Sequence, residues 1–558
     1  MNLACSSYGD ALRRAERRLA PLTTVGGPLD PSVVVARDEA DAFDATAVAA
    51  IYRVGLAASQ IPAHEGGELD ALHRLVAGAY ALSRRDASLA LTVGLDVWSQ
   101  LVWMAGTAAQ RARVGEVVRR GEGICLAASE SEHGADLVAS GTRAELGRDG
   151  WTLHGDKWPI GRATHSRLAL VLARTEASPG PRSASWLLVD TETVAGVELR
   201  RLPRVPTLGF RAADVSGLSM AGVRVGEDAI VGERGRGVEL ALRLFQITRP
   251  LVASLALGPA DTALRLATRF CCERRLYGGR ATDLPAVRRS LVGAWARLCV
   301  AEGLALTTVR TAHARPEQLV VASAACKALL PTFARDCVKA SAEVLGARFF
   351  FRDGFGAGAF QKALRDQLAV ATFDGSTPVC LHGLGLQLTT LLRSPHRDPH
   401  AWRSCVDLGA ETVPLRYDEI GLTSRGRDAV VEGADEIAAL GPDDALGRLA
   451  ADAAGDLLRI SERLRVARAD QPPGLGRSAV LLGLAEAYAM VRTKLSMVAA
   501  ARLSPWTIRD AVMPLAFAAP RPGIEADPVG EDAIEAAFAW LKHAAYVDAP
   551  LSGWADGA

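Results

Sequence analysis

The sequence lacks a surplus of charge of either sign. Its 64 Lys and Arg face 63 Asp and Glu, for a net charge of +1 and a pI near 7.6, so no nucleic-acid partner is expected. Its 9 cysteines include no C-x-x-C and no regular spacing, only the adjacent pair Cys271-Cys272. They read as reduced core thiols, not a disulfide framework. The ten histidines form no H-E-x-x-H, and no Cys/His cluster has zinc spacing, so no metal is expected. The run Gly354-Phe355-Gly356-Ala357-Gly358 lacks the Lys-Ser/Thr of a phosphate loop and reads as a flexible connection. There is no G-x-S-x-G, which removes the α/β-hydrolase nucleophile. The opening residues MNLACSSYGDALRRAERRLA carry no apolar run behind a basic patch, and no stretch reads as long enough to span a bilayer. A cytoplasmic protein without membrane contact is the expectation.

What is present is length and apolar content. With 558 residues, 49% of them hydrophobic, the chain can build sizeable cores in several domains. Apolar residues at three and four spacing predict helices over Ala45–Gly55 and Leu72–Ser83, and an apolar helix over Asp86–Met104 ended by Gly106. Between about 124 and 235 short runs alternate with turn residues. Arg148-Asp149-Gly150, between Thr142–Leu146 and Trp151–Leu153, predicts a hairpin in which Asp-Gly takes left-handed dihedrals. Leu168–Ala173, Trp186–Val189 and Val223–Val225 are further strands. Helical periodicity returns over Val238–Phe245, Ala253–Cys272, Ala286–Arg310, Gln318–Leu345 and Leu364–Leu388, the pattern of a bundle. Ser394–His400 reads as a linker. Helices near Ala445–Ala467, Gly476–Leu503 and Glu531–Tyr546 follow, with a Pro/Gly-rich gap at 519–530. The expected fold is α+β but mostly α: an N-terminal helical domain (1–122), a small middle β-barrel (123–235), a helical bundle (236–394) and an additional helical domain (395–558). This order argues against a Rossmann unit, in which strands and helices alternate.

A series of short motifs resembles one family, the acyl-CoA dehydrogenases. Ser129-Glu130-Ser131-Glu132-His133-Gly134-Ala135-Asp136 resembles the family's Thr-Glu-Pro-x-x-Gly-Ser-Asp loop, which faces the flavin. Gly155-Asp156-Lys157 falls at its Gly-x-Lys. Leu208-Gly209-Phe210-Arg211 and Val223-Arg224-Val225 resemble later β-domain motifs. Thr248-Arg249-Pro250, then Ala256-Leu257-Gly258, resembles the first bundle helix. Glu273-Arg274-Arg275-Leu276-Tyr277-Gly278 resembles Glu-Arg-x-x-Phe-Gly. Arg365-Asp366, followed eight residues later by Asp374-Gly375-Ser376, resembles the family's Arg-Asp and Glu-Gly-Thr. The resemblance covers about 45 to 392, with the motifs in the family's order.

The resemblance implies FAD-dependent removal of two hydrogens from an acyl thioester, carried by coenzyme A or a carrier protein. It implies electrons passing to a transfer partner or to oxygen. Asp374 stands where many members carry the glutamate base, about 1.5 Å shorter in reach; a carboxylate beside Gly375 also suits a helix cap. Arg249 would sit near that base; its alternative is an ion pair, with Asp366 for instance. The resemblance assigns cofactor contacts to Ser129, Gly134, Ala135, Ile160, Gly161, Arg274, Tyr277, Gly346, Gly375 and Ser376. It assigns substrate contacts to Ala135, Gln246, Thr248, Arg249 and Gly375. For Arg274 the competing reading is an exposed helix arginine among Arg265, Arg269 and Arg275. Departures gather at the flavin pocket. Pro159-Ile160-Gly161 replaces Trp-Ile-Thr, and Trp158 can stand in for the wall tryptophan only if the backbone shifts. Pro285 replaces an adenine-side Gln, and Glu343 begins the altered Gln-x-x-Gly-Gly loop. Residues 400–558 extend past the family core, as in very-long-chain members and acyl-CoA oxidases, which implies a homodimer. Two alternatives stay open: a flavin oxidase or monooxygenase, and a flavin-free binding subunit on the same fold.

Overall fold

A computed structural model describes residues 7–194, 198–393, 398, 400–470, 478–518 and 529–555. Most of the expected linker at 394–400, most of the gap at 519–530 and the first residues of the helix expected from Gly476 lie outside the described residues. Helices of eight or more residues are, in chain order, α1 (Tyr8–Leu19), α2 (Pro31–Glu39), α3 (Ala45–Arg53), α4 (His73–Ser83), α5 (Ala87–Gly94), α6 (Ala108–Arg120), α7 (Gly237–Ala253), α8 (Leu257–Glu273), α9 (Pro285–Ala314), α10 (Leu319–Leu345), α11 (Ala359–Val370), α12 (Thr377–Leu391), α13 (Ala445–Asp470), α14 (Ala479–Leu503) and α15 (Glu531–Ala544). Eight strands precede α7: β1 (Ile124–Ala127), β2 (Arg143–Gly147), β3 (Gly150–Gly161), β4 (Leu168–Arg174), β5 (Ala184–Asp190), β6 (Leu199–Leu202), β7 (Val215–Val225) and β8 (Ile230–Val231). The mostly helical α+β architecture is the one expected. Contacts divide the chain into two compact units, residues 17–70 with 88–248, and residues 1–16 with 71–87 and 249–558.

The first unit is built on the strands. They pair in the order β6-β7-β3-β2-β4-β5-β8, with β1 parallel to β4. Six of the seven residues of β4 are buried, which suits its continuous apolar sequence to a strand covered on both faces. The β2–β3 hairpin forms as expected, with Gly147 opposite Gly150. Only the glycine of the Asp-Gly pair takes positive φ, at 114°, so the turn is not the left-handed Asp-Gly turn expected. A buried polar triad sits behind the sheet. Asp96 and Arg162 are 0% and 1% exposed. Arg162 Nη1 lies 3.2 Å from Asp96 Oδ1 and donates to the Tyr52 hydroxyl at 2.5 Å, and Nη2 donates to the Gly121 carbonyl at 2.9 Å. The Tyr52 hydroxyl also donates to Asp96.

The second unit is the bundle. Its α9 and α10 are the longest helices described, and Trp295, Leu298, Leu304, Leu330 and Val338 are buried on them. Gly258 lets α8 approach the end of α4 closely; a Cβ there would lie 2.1 Å from the Arg84 nitrogen. The helix expected over Leu364–Leu388 is two helices, α11 and α12, broken at 371–376. Asp374 (φ 54°) and Gly375 (φ 92°) adopt left-handed conformations there, and a helix cannot continue through them. Segment 547–555 lies on α8 and α9. Leu551 N donates to Asp261 at 2.6 Å. Ser552 Oγ and Gly553 N donate to the two oxygens of Glu302 at 2.6 and 2.9 Å, and Tyr8 Oη donates at 2.7 Å.

Burial pushes Glu302 up to about 7, although the donors Ser552, Tyr8 and Gly553 oppose it. The folded chain thus keeps a proton that the unfolded chain releases from about pH 4.5 upward. This contribution is full below pH 4.5 and is lost as pH rises to 7, on the order of 3 kcal/mol. Glu302→Gln is expected to flatten that part of the pH dependence. The check is the difference in melting temperature between wild type and variant from pH 5 to 8, which should favour the variant increasingly with pH.

One expectation fails on length and composition. Ala87–Ala105, Gly237–Glu273 and Pro285–Ala314 are each long and apolar enough to cross a membrane. Their most apolar windows are 88%, 78% and 94% buried within the fold, so the apolarity is accounted for as core.

Candidate functional site

In the bundle unit, the turn at 371–376 gathers the residues expected to carry chemistry. It connects α11 to α12, whose N-cap is Ser376. Asp374 lies two residues before that cap, half-buried, so it is not the capping residue itself. Arg249, on α7, donates from Nε to the Asp374 carbonyl at 3.2 Å. Its guanidinium also covers Gly375, where a Cβ would lie 3.2 Å from Nη2. A side chain there would displace the arginine, which gives this glycine a role beyond its positive φ. Asp366, the alternative partner considered for Arg249, accepts from Lys362 Nζ at 2.6 Å.

Two residues that motif reading missed complete the turn's surroundings. Lys327, on α10, is fully buried and donates from Nζ to the Val370 carbonyl at 3.0 Å. Burial lowers its pKa, the nearby Cys380 and Asp374 oppose that shift, and Arg249 adds to it. Cys380 approaches the Gly375 carbonyl at 3.6 Å. Its thiol is raised by burial, against the pull of Arg249 and Lys327. Three side chains from three helices thus meet carbonyls at the end of α11 (370) and in the turn that follows it (374 and 375). The signal for Lys327 was available: it is the one charged residue between Leu319 and Phe333, and a lone cation in an apolar helix needs a buried partner.

The other bundle residues lie at a different end. The ends of α8 and α10 adjoin, with Cys271 Sγ 4.0 Å from the Val344 carbonyl. Arg274 is the C-cap of α8 and exposed, and Tyr277 is 93% exposed with φ 52°. Gly346 closes α10 with φ 59°. Of the competing arginines, Arg265 is buried on Asp261 and on carbonyls of 544–549, and Arg269 donates to the Ala545 carbonyl. Pro285 opens α9, where its missing N–H costs nothing. Glu343 is exposed. Phe349 packs on Phe360 near the start of α11, so the Asp374 turn lies one 12-residue helix away, about 18 Å.

In the strand unit, Lys157 ties down the loop that follows β1. Its Nζ donates to the Ala128 carbonyl (3.0 Å), Glu130 Oε1 (2.8 Å) and Ser140 Oγ (3.1 Å). Burial drops Lys157 to about 8, against the raising effect of Glu130. Burial would raise Glu130, but hydrogen bonds and charge from Lys157, with Ser140 and Thr142, hold it well below the usual range. Ser129 accepts from Trp158 N through its carbonyl at 3.0 Å. Gly134 and Ala135 are exposed. The Ile160 side chain belongs to the β-domain core, and Ile160 and Gly161 pair with Ser216 and Val215 of β7. Gln246 and Thr248 are buried on α7.

The fit of a flavin turns on residue 158. The β3–β7 register shifts by one residue between Lys157 and Ile160, a bulge at Pro159, which cannot donate to the ladder. The bulge offsets the backbone at Trp158 by one residue against β7. Its ring is 36% exposed and packs over Gly217, where a Cβ would lie 3.1 Å from Cδ1. An exposed indole beside the glycine-bearing loop fits a flavin wall. Gly161 offers no hydroxyl.

Residues 125–223 match the acyl-CoA dehydrogenase middle domain and residues 235–385 the acyl-CoA dehydrogenase C-terminal domain. These two stretches therefore carry the middle and C-terminal domains of the acyl-CoA dehydrogenase family. It is 29% identical over 263 residues to the human mitochondrial short-chain specific acyl-CoA dehydrogenase, covering 46% of this chain and 62% of that protein. The chain thus spans about three fifths of that relative's length. Among solved structures, butyryl-CoA dehydrogenase from Megasphaera elsdenii matches with TM-score 0.63 and 19% identity, over 70% of this chain and all of that one. An acyl-CoA dehydrogenase complexed with FAD from Bacillus anthracis matches with TM-score 0.69 and 14% identity, over 96% and 87%. At these identities the likeness is one of fold, and in the second case it takes in the residues beyond 400.

Proposed function

We propose that this chain is a flavin-dependent dehydrogenase of an acyl thioester. The observation that carries the reading is the turn at 371–376, where Arg249 donates to the Asp374 carbonyl and the buried Lys327 donates to the Val370 carbonyl just before it. A base must stay ionised and must not move. Arg249 grips the Asp374 carbonyl and so fixes the backbone of that residue. Asp374 takes the α-proton of the thioester at a carboxylate oxygen. Ala135, Gln246, Thr248, Arg249 and Gly375 are the substrate contacts in this reading. The developing enolate oxygen needs N–H donors aimed at it in a site that excludes water.

Bound FAD would supply the acceptor for the β-hydrogen and its electron pair. Ser129, Gly134, Ala135, Ile160, Gly161 and Trp158 would hold its ring. Arg274, Tyr277 and Gly346 would hold its phosphates, with Arg274 presenting the donor fork that suits them. Gly375 and Ser376 complete the cofactor set. The thioester is carried by coenzyme A or a carrier protein, and the electrons pass to a transfer partner or oxygen. A homodimer would cover the exposed Phe350 and Phe351.

The test is the visible spectrum of the purified protein with FAD, before and after anaerobic addition of acyl thioesters of several lengths. A flavin band that bleaches supports the dehydrogenase. A band that persists with every thioester points to the oxidase or monooxygenase reading. A protein that stays colourless with added FAD leaves the binding subunit. The losses at Pro159, Gly161, Pro285 and Glu343 favour that last reading.

A further inference from the structure

A cleft of about 370 Å³ opens in the strand unit, between α3, the end of α6 and the residues after β3. It uses none of the residues assigned above to cofactor or substrate. Its wall holds four arginines, Arg53, Arg119, Arg120 and Arg162, with His165, and no carboxylate. In a chain whose acids and bases are nearly equal in number, that segregation calls for a cause. Arginines at helix C-terminal ends are ordinary one at a time. Here the ends of two helices and a buried guanidinium converge on one cavity.

The contacts set out which charges remain for a ligand. Arg120 pairs with Glu116 at 2.7 Å and with Glu122 at 4.0 Å, but it is 62% exposed, where such pairs are weak. Arg119 donates one N–H to the Glu65 carbonyl. Arg53 is exposed at the last residue of α3. At the inner end, Arg162 is 1% exposed, and its Nε has no hydrogen-bond partner among the described residues. One flank is aromatic. His165 stacks on Phe43, with centroids 3.9 Å apart and planes at 27°, and its Nδ1 meets Asp214 at 3.1 Å. Ala45, Val48 and Ala49 supply an apolar side.

We propose that this cleft binds a small molecule bearing a phosphate, with the arginines taking the oxyanion and the Phe43–His165 flank taking its organic body. Guanidinium forks match phosphate oxygens bidentately. A volume of this size is that of a small-ligand site, which is characteristically apolar with a few convergent polar groups.

Isothermal titration of the full chain with phenyl phosphate, inorganic phosphate and phenol, at ionic strength fixed with sodium chloride, tests the proposal. Saturable binding of phenyl phosphate and none of phenol is expected. Arg53→Gln with Arg120→Gln, both exposed and outside the cofactor and substrate assignments, should weaken it by about tenfold or more with the circular dichroism unchanged. Ala49→Glu, which puts a carboxylate on an exposed position of the wall, should abolish it independently. Inorganic phosphate binding as tightly as phenyl phosphate would identify free phosphate as the source, and weaker binding identifies an organic phosphate. A constant unmoved by both the arginine and the Ala49 variants would overturn the site. So would heat that chloride reproduces, or the absence of saturable binding.

Discussion

Asp374→Asn is expected to slow thioester-driven bleaching of the flavin band by about a hundred- to ten-thousandfold, the range for loss of a general base. The amide keeps the size of the carboxylate but cannot accept the α-proton. The fold of the turn should survive, because Arg249 holds residue 374 by its carbonyl and positive φ is tolerated by Asn at least as well as by Asp. Flavin content and melting temperature should therefore stay near those of the wild type while the rate collapses. Asp374→Glu separates reach from chemistry. It restores the family's residue but advances the carboxylate by about 1.5 Å, and misplacement by about 1 Å can cost on the order of a hundredfold. A rate that is unchanged in the Asn variant, measured by anaerobic stopped flow, would remove Asp374 from the mechanism.

The second large effect is on stability, in the strand unit. Asp96→Ala is expected to destabilise that unit by about 3–5 kcal/mol, because it leaves the Arg162 guanidinium buried without its carboxylate. Asp96 is itself raised by burial, with Arg162, Tyr52 and the Ile124 N–H opposing, so its charge is held in place by its partners. Replacing both members with apolar residues, Asp96→Leu with Arg162→Met, should cost far less than the single change, since no charge is stranded. Thermal unfolding of the three proteins checks this. A double variant as unstable as Asp96→Ala would mean that packing, not charge, sets the loss.

Much of this was legible from local pattern. Long helices such as α9 and α10 announce themselves because their periodic apolar positions outnumber their breakers. The β2–β3 hairpin was legible from its turn residues, although only Gly150 adopts the special dihedral. The break between α11 and α12 was missed as secondary structure, since apolar spacing continues from Leu364 to Leu388, yet the same residues were singled out as a motif. Long-range pairings were invisible: Tyr52 with Asp96 and Arg162, Lys327 with the Val370 carbonyl, and Arg265 with the carbonyls of 544–549. Each depends on where a distant backbone passes, and no periodicity in one segment encodes that. The adaptation at Trp158 was half-legible. The sequence made a backbone shift the condition for Trp158, and the bulge at Pro159 is a feature that no local pattern announced.

Segment 547–555 gives the bundle an order of events. Asp261 and Glu302 are deep in helices made early, yet they accept hydrogen bonds from Leu551 and Gly553, which follow 290 and 251 residues later. At ribosomal speeds of about 5–20 residues per second, a span of 290 residues takes roughly 15–60 s to synthesise. Throughout that interval the nascent bundle carries two acids that have only some of their partners, Tyr8 for Glu302 and Arg265 for Asp261. The helices can form as they emerge, but they cannot seal around those acids until the last partners leave the exit tunnel. The bundle thus completes its interior only after residue 553 has been made, and a stalled or nicked chain lacking those few residues would be marked by an unsealed, hydrated seam for quality-control proteases to find.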